Sequence, residues 1–215
     1  ASPVVTGNLY PVKTRAYFHR FYAFPIQTRG ESQYFYIRVA SGYALTVPMM
    51  LWQESAFYTH QQKTLIVQFL YYGGLLTLLI YNIFLFISLK NRQFLFYALF
   101  AGLFGMGMLA GNGYGRLLLW PEFAKFDDIS QTFLLSLTSA MGATFTSAFL
   151  NTRNQLPNIH RLLKLSAFIF VIVAGFLVAG IWLTLPTKIA FEIFALNAVL
   201  TFFLIVLAGI KSIKL

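Results

Sequence analysis

Five stretches of this chain are apolar enough to enter a bilayer, and little sequence separates them. The uncharged runs cover residues 64–89, 93–115, 129–152, 165–187 and 193–210. A helix needs about 20 mostly apolar residues to cross the hydrocarbon, because each residue advances it by about 1.5 Å. The last run reaches that length if it starts near Ile189 and takes Glu192 into its first turn. Charges collect at the boundaries, at Lys63, Lys90, Arg92, Arg116, Arg153, Lys164, Lys188 and Lys211. The pattern predicts a membrane all-α helical bundle over residues 61–215, with spans at about 64–89, 93–115, 129–152, 165–187 and 189–210.

Composition agrees: 58% of residues are hydrophobic, 10% are charged and the mean hydropathy is +0.69. Globular domains carry about a quarter charged residues. The net charge of +10 does not point to nucleic acid, since the basic residues form no run on one soluble face. Seven of the 16 follow spans one, three and five, in segments without an acid: Lys90, Arg92, Arg153, Arg161, Lys164, Lys211 and Lys214. Lys63, Arg116, Lys125 and Lys188 flank the other side, which also holds Glu54, Glu122, Asp127 and Asp128. Basic loop residues are retained in the cytoplasm, so residues 1–63 are expected outside and the chain end inside. Trp52, Trp120 and Trp182 all fall on the expected outer side. With no cysteine, the head needs no disulfide in an oxidising compartment. Ala1-Ser2-Pro3 does not open a signal peptide, which leads to the expectation of a cleaved leader or of a longer parent protein.

Residues 1–60 read as β. Residues 18–26 are aromatic-rich, and residues 33–40 alternate, with Phe35, Ile37 and Val39 on one face and Tyr34, Tyr36 and Arg38 on the other. Leu45, Val47, Met49 and Leu51 alternate again after Ser41-Gly42, which predicts a hairpin with a two-residue loop. Pro48 marks an edge strand or a bulge. Three or four strands make one sheet and no closed sandwich, so the sheet is expected to need partners from elsewhere.

The segments TGNLYP (6–11), FYAFPI (21–26), YFYIRVASG (34–42) and LTVPMMLW (45–52) look like the end of an extracellular sensor domain. They lead into FLYYGGLLTLLIYNIFLFISLKNRQFLFYALF (69–100), GNGYGRLLLWPEF (111–123) and AFLNTRNQLPNIHRLL (148–163). This order resembles the bacterial seven-transmembrane receptors with diverse intracellular signalling modules. The resemblance implies a jelly-roll-like periplasmic domain, here the partial all-β region 1–60, followed by seven helices and a cytoplasmic output domain in the inner membrane. Five spans stand where the family has seven, so the chain is expected to be the middle of a longer receptor. Its output would be a histidine kinase or a diguanylate cyclase, as in two-component signalling.

Polar residues inside the spans stand out, because intramembrane polar groups are costly. Glu192 either pairs with Lys188 at i,i+4 or lines a ligand or ion pocket. Asn82 and Asn197 are expected to bond neighbouring helices. In span two, Ala101, Gly105, Gly107 and Gly111 fit small-xxx-small spacing, suited to close packing in the bundle or to a dimer seam. The face bearing Tyr34, Tyr36 and Arg38 suits a sugar or an anionic small molecule. Its alternative is structural, with Arg38 paired to Glu31 and the tyrosines packed on further strands.

No catalytic constellation is visible. His19, His60 and His160 are scattered, without metal-ligand spacing, and no phosphate loop is present. His160 reads as a solvated loop residue, and Asp127 and Asp128 as part of a polar outer loop. No cofactor and no enzyme activity are expected in this chain. The reading is a sensory receptor module that meets membrane lipid, a periplasmic small molecule or carbohydrate, and a second copy in a homodimer. The alternatives are a small-solute transporter or channel subunit, and a membrane anchor for a larger complex.

Overall fold

The structure, a computed structural model, describes residues 4–8, 10–27, 33–40, 47–183 and 185–213. A 3-10 turn, Val12–Thr14, precedes the helices α1 (Glu54–Leu89), α2 (Arg92–Gly111), α3 (Ala124–Phe149), α4 (Thr152–Gln155), α5 (Pro157–Leu183) and α6 (Lys188–Ile213). A π-helical turn, Gly115–Leu119, lies between α2 and α3.

The links are short and locally encoded. α1 ends on Lys90 in the left-handed conformation, φ 53°, whose N–H closes the last turn on the Phe86 carbonyl at 2.9 Å. Asn91 then caps α2, its side chain accepting from the Gln93 N–H at 3.0 Å. A two-residue link allows only an antiparallel α1–α2 pair. α5 opens on Pro157, whose missing N–H is no loss in a first turn.

α3 is the central helix. It packs on α2 and α5 and reaches α6, whereas α1 packs on α2. Small side chains fill the contacts: Ala98, Ala101, Gly105, Gly107 and Ala110 of α2, Ala140 and Ala143 of α3, and Ala190 and Ala208 of α6 are all buried. Lipid gives helices no hydrophobic reason to associate, so close backbone approach supplies the attraction instead. The α2 glycines serve two neighbours. A Cβ on Gly105 would touch Leu75 of α1, and one on Gly107 would press on Leu135 of α3. At Gly111 it would overlap the end of Gln131.

Two expectations are corrected here. Four described helices, α1, α2, α5 and α6, are long and apolar enough to cross a membrane, against five predicted spans. The span predicted at 129–152 falls on α3, which has the length but carries buried Ser130, Ser136 and Thr138. Helices cover α3, and its hydroxyls return to its own carbonyls: Ser136 to Thr132 at 2.7 Å, Thr138 to Leu134 at 2.8 Å and Thr144 to Ala140 at 2.8 Å. A helix so enclosed need not be apolar all round. The predicted span 93–115 also overruns α2, which stops at Gly111 before the chain turns.

The second correction concerns the outer domain. Among the described residues there is no β-strand, so the partial jelly roll expected over residues 1–60 finds no support in them. Residues 33–40 and 47–53 lack regular structure, and Tyr34, Phe35, Tyr36 and Ile37 are exposed. Alternation marks a face to be buried, and the described residues offer these segments no surface to bury it against; an isolated pair of strands is marginal in water. The predicted Ser41-Gly42 loop lies outside the described residues.

Gly115→Ala should destabilise the bundle, because a Cβ there would overlap the Trp120 ring and stand 3.0 Å from the Ala110 Cα. The expected loss is about 1–3 kcal/mol, whereas Gly74→Ala, in open space, should be neutral or gain up to about 1 kcal/mol. Thermal unfolding in nanodiscs, followed by tryptophan emission, compares the two; equal transition temperatures would contradict the packing described.

Candidate functional site

The glycine-rich end of α2 and the N-terminal segment meet at one point. Gly113, φ 77°, turns the chain after α2 and lies against Arg20, whose carbonyl would stand 3.4 Å from a Cβ at this position. Only glycine takes this conformation without strain. The π turn that follows presents Arg116 inward. Its exposure is 1%, which makes it a charge removed from water.

That charge is compensated on three sides. Arg116 Nη1 donates to the Asn8 carbonyl at 2.8 Å and to Asp127 Oδ2 at 3.2 Å. Its Nη2 donates to the Tyr10 carbonyl at 2.5 Å. The second oxygen of Asp127 accepts from the Trp120 indole Nε1 at 3.0 Å. One carboxylate therefore fixes both the guanidinium and the tryptophan of the α2–α3 connection. Asn8 and Tyr10 lie in irregular backbone, and the guanidinium fork satisfies their carbonyls as a neighbouring strand would have done.

Weaker contacts extend the joint. The Val12 N–H donates to the Pro121 carbonyl at 3.5 Å, and Val12 packs with Tyr114 and Leu117. Lys13 and Glu122 stand 3.5 Å apart, but both are exposed and such a pair adds little. The Tyr22 hydroxyl donates to Asn8 Oδ1 at 2.6 Å, and Arg15 Nη1 donates to the His19 carbonyl at 2.8 Å. Partial burial raises the Asp128 carboxyl above its ordinary value, with the Asp127 charge adding to the effect. The folded form then holds this proton more tightly than the unfolded chain. The contribution to stability falls as pH rises through the raised value.

The opposite end of the bundle carries a second polar cluster. Ser147 Oγ lies 2.8 Å from His160 Nδ1 and 2.9 Å from Thr152 Oγ1, and Gln93 of α2 donates to the Ala148 carbonyl at 3.0 Å. His160 is thus not the solvated loop residue expected; it lies in the first turn of α5 and ties the α3 end to α5.

The sequence-predicted residues are not brought together. Tyr34 and Tyr36 are exposed; among the described residues they make no ring contact and Arg38 has no ion pair, and Glu31 lies outside those residues. Asn82 is buried but donates to Leu78 of its own helix at 2.8 Å. Asn197 of α6 crosses to α5, donating to the Ser166 carbonyl at 3.0 Å and accepting from Ser166 Oγ at 3.1 Å. Glu192 stands 4.0 Å from Lys188, which lies one turn before it, and both are exposed. Ala101, Gly105, Gly107 and Gly111 line the contacts of α2 already described.

Arg116 and Asp127 were missed as a pair. Arg116 read as a boundary charge and Asp127 as a loop acid, although both prove to be bonded at the joint. The available signal was an arginine running straight into the apolar Leu117-Leu118-Leu119. A charge there must find a partner.

Arg116→Ala should leave Asp127 uncompensated and free residues 8–10, with a loss of about 3–5 kcal/mol. Arg116→Lys should recover little, since one ammonium cannot reproduce the fork. Unfolding in nanodiscs, combined with limited proteolysis of residues 4–27, reads both effects. Wild-type protease resistance in Arg116→Ala would contradict the clamp.

The sequence profile of the 7TM diverse intracellular signalling family matches residues 64–214, and that of the 7TMR-DISM extracellular 2 region matches residues 2–53. No curated protein and no solved structure matches the chain at a significant level. Both matched regions are sensor and membrane regions, and neither is catalytic. The two meet where Arg116 holds residues 8 and 10. With the membrane profile covering most of the chain, this protein belongs to the seven-transmembrane receptors with diverse intracellular signalling.

Proposed function

We propose that the chain senses a small molecule or carbohydrate on its N-terminal side and passes the signal through the bundle to an output module. The observation that carries this reading is the Arg116–Asp127 clamp. Moving residues 8–10 must either move Arg116 or strip its buried charge of two carbonyls. Arg116 sits in the connection that begins α3, and α3 packs on α2, α5 and α6. Displacement at the clamp therefore reaches helices that end on the opposite face, where His160, Ser147 and Thr152 join α3 to α5. A two-state element biased from one end is what a signal relay requires. In this reading residues 1–63 are periplasmic, the receptor works as a homodimer in a bacterial inner membrane, and its output is a histidine kinase or diguanylate cyclase.

Spin labels on Arg92→Cys and Asn158→Cys, exposed positions on the far face, test the relay. Asp127→Asn should change their distance distribution in nanodiscs although it lies at the other end of α3. Identical distributions in the folded variant would refute transmission through the bundle.

The orientation has its own test, since the chain has no cysteine of its own. Single cysteines at Ser2 and Asn91 should differ towards an impermeant maleimide on spheroplasts, with position 2 labelled and position 91 protected. The reverse result would invert the topology.

A further inference from the structure

The N-terminal end of the bundle holds a cavity of about 530 Å³ that the clamp does not use. Small-molecule sites run from roughly 300 to 1,000 Å³. α1 lines one wall with a single helical face, including Phe57, Leu65, Gln68 and Tyr72. Tyr114 and Leu117 form the second wall, and residues 17–20 close the third. The lining is mostly aromatic and aliphatic, and among the described residues no acid borders it.

Among the described residues, three buried polar atoms of the lining lack a hydrogen-bond partner: His19 Nε2, Arg20 Nε and Gln68 Oε1. The His19 Nδ1 accepts from the Phe21 N–H at 3.0 Å. In the neutral ring the proton therefore sits on Nε2, which becomes a donor. Arg20 Nε is a second donor and brings a positive charge. The guanidinium lies 4.5 Å from the centre of the Phe21 ring and 5.3 Å from that of Tyr114, which holds it in place without neutralising it. The Gln68 amide can turn either end to a ligand. Two fixed donors, one cation and an adaptable amide, set in an aromatic enclosure, match a carboxylate on a flat apolar body.

We infer that this cavity binds an aromatic monocarboxylate, its ring between α1 and the π turn and its carboxylate on Arg20, His19 and Gln68. Such an occupant would join residues 17–20, α1 and the π turn, one residue from where Arg116 acts. The site deepens the receptor reading by naming a ligand class, but binding is read without any output. A failure here leaves the spin-label result standing, and the converse holds.

Equilibrium dialysis with 2-naphthoate tests the assignment, using the full chain in phosphatidylcholine nanodiscs and empty discs as the blank. The expected result is saturable binding of one 2-naphthoate per chain, at least tenfold tighter than the neutral isostere naphthalene-2-carboxamide. Arg20→Gln should abolish that preference, and Leu118→Trp, which narrows the cavity from its rim, should weaken both compounds. Equal affinities for the two compounds, uptake no greater than that of empty discs, or an unchanged 2-naphthoate affinity in Arg20→Gln would overturn the proposal. Tighter binding of palmitate than of 2-naphthoate would overturn the flat-body assignment and identify the cavity as a lipid-chain site.

Discussion

A buried arginine determines how the two parts of this protein meet. Moving a guanidinium out of water is expensive unless charge and hydrogen bonds replace the water. Asp127 supplies the charge, while Asn8 and Tyr10 supply the carbonyls. The consequences run in both directions. The N-terminal segment, which has no strand of its own among the described residues, acquires a fixed position. The α2–α3 connection adopts a π turn in order to present Arg116, and Trp120 is held through the same carboxylate.

The bundle beneath follows from the bilayer. Lipid cannot drive helices together by exclusion from water, so packing rests on small side chains and on polar groups satisfied locally. α2 answers with glycine and alanine on two faces, one for α1 and one for α3. α3 answers with hydroxyls that bond its own carbonyls. α5 and α6 add the Ser166–Asn197–Thr201 cluster, in which Thr201 also donates to the Asn197 carbonyl at 2.6 Å. α1 stands apart, buried only at Asn82 and exposed along most of its length. Thirty-six residues at about 1.5 Å each make it about 54 Å long, well beyond a hydrocarbon layer of about 30 Å. The excess projects at the N-terminal end, where it forms one wall of the cavity.

Much of this was legible from residue order. Long uncharged runs bounded by Lys and Arg located the helices, since a polar backbone in lipid must bond within its own segment. The motif order carried the family. Helix ends were less legible, because residues 111–115 are uncharged like the span before them, and the end of α2 is fixed by the turn at Gly113 rather than by a charge. The outer strands failed for a related reason: alternation in residues 33–40 states which face wants burial, and nothing in the pattern states whether a partner is present.

The sequence by itself determined the class, a membrane-spanning helical protein with the charges at its boundaries, because hydropathy and length act locally along the chain. Only the tertiary structure decided which polar residues matter. Arg116 and Asp127 stand eleven positions apart with a Trp-Pro turn between them, and Asn8 is 108 residues from Arg116. Their worth comes from shared burial, a property of three-dimensional neighbours that no spacing in the chain expresses. His160 shows the same at the other end, where a residue placed in a basic loop becomes the link between two helices.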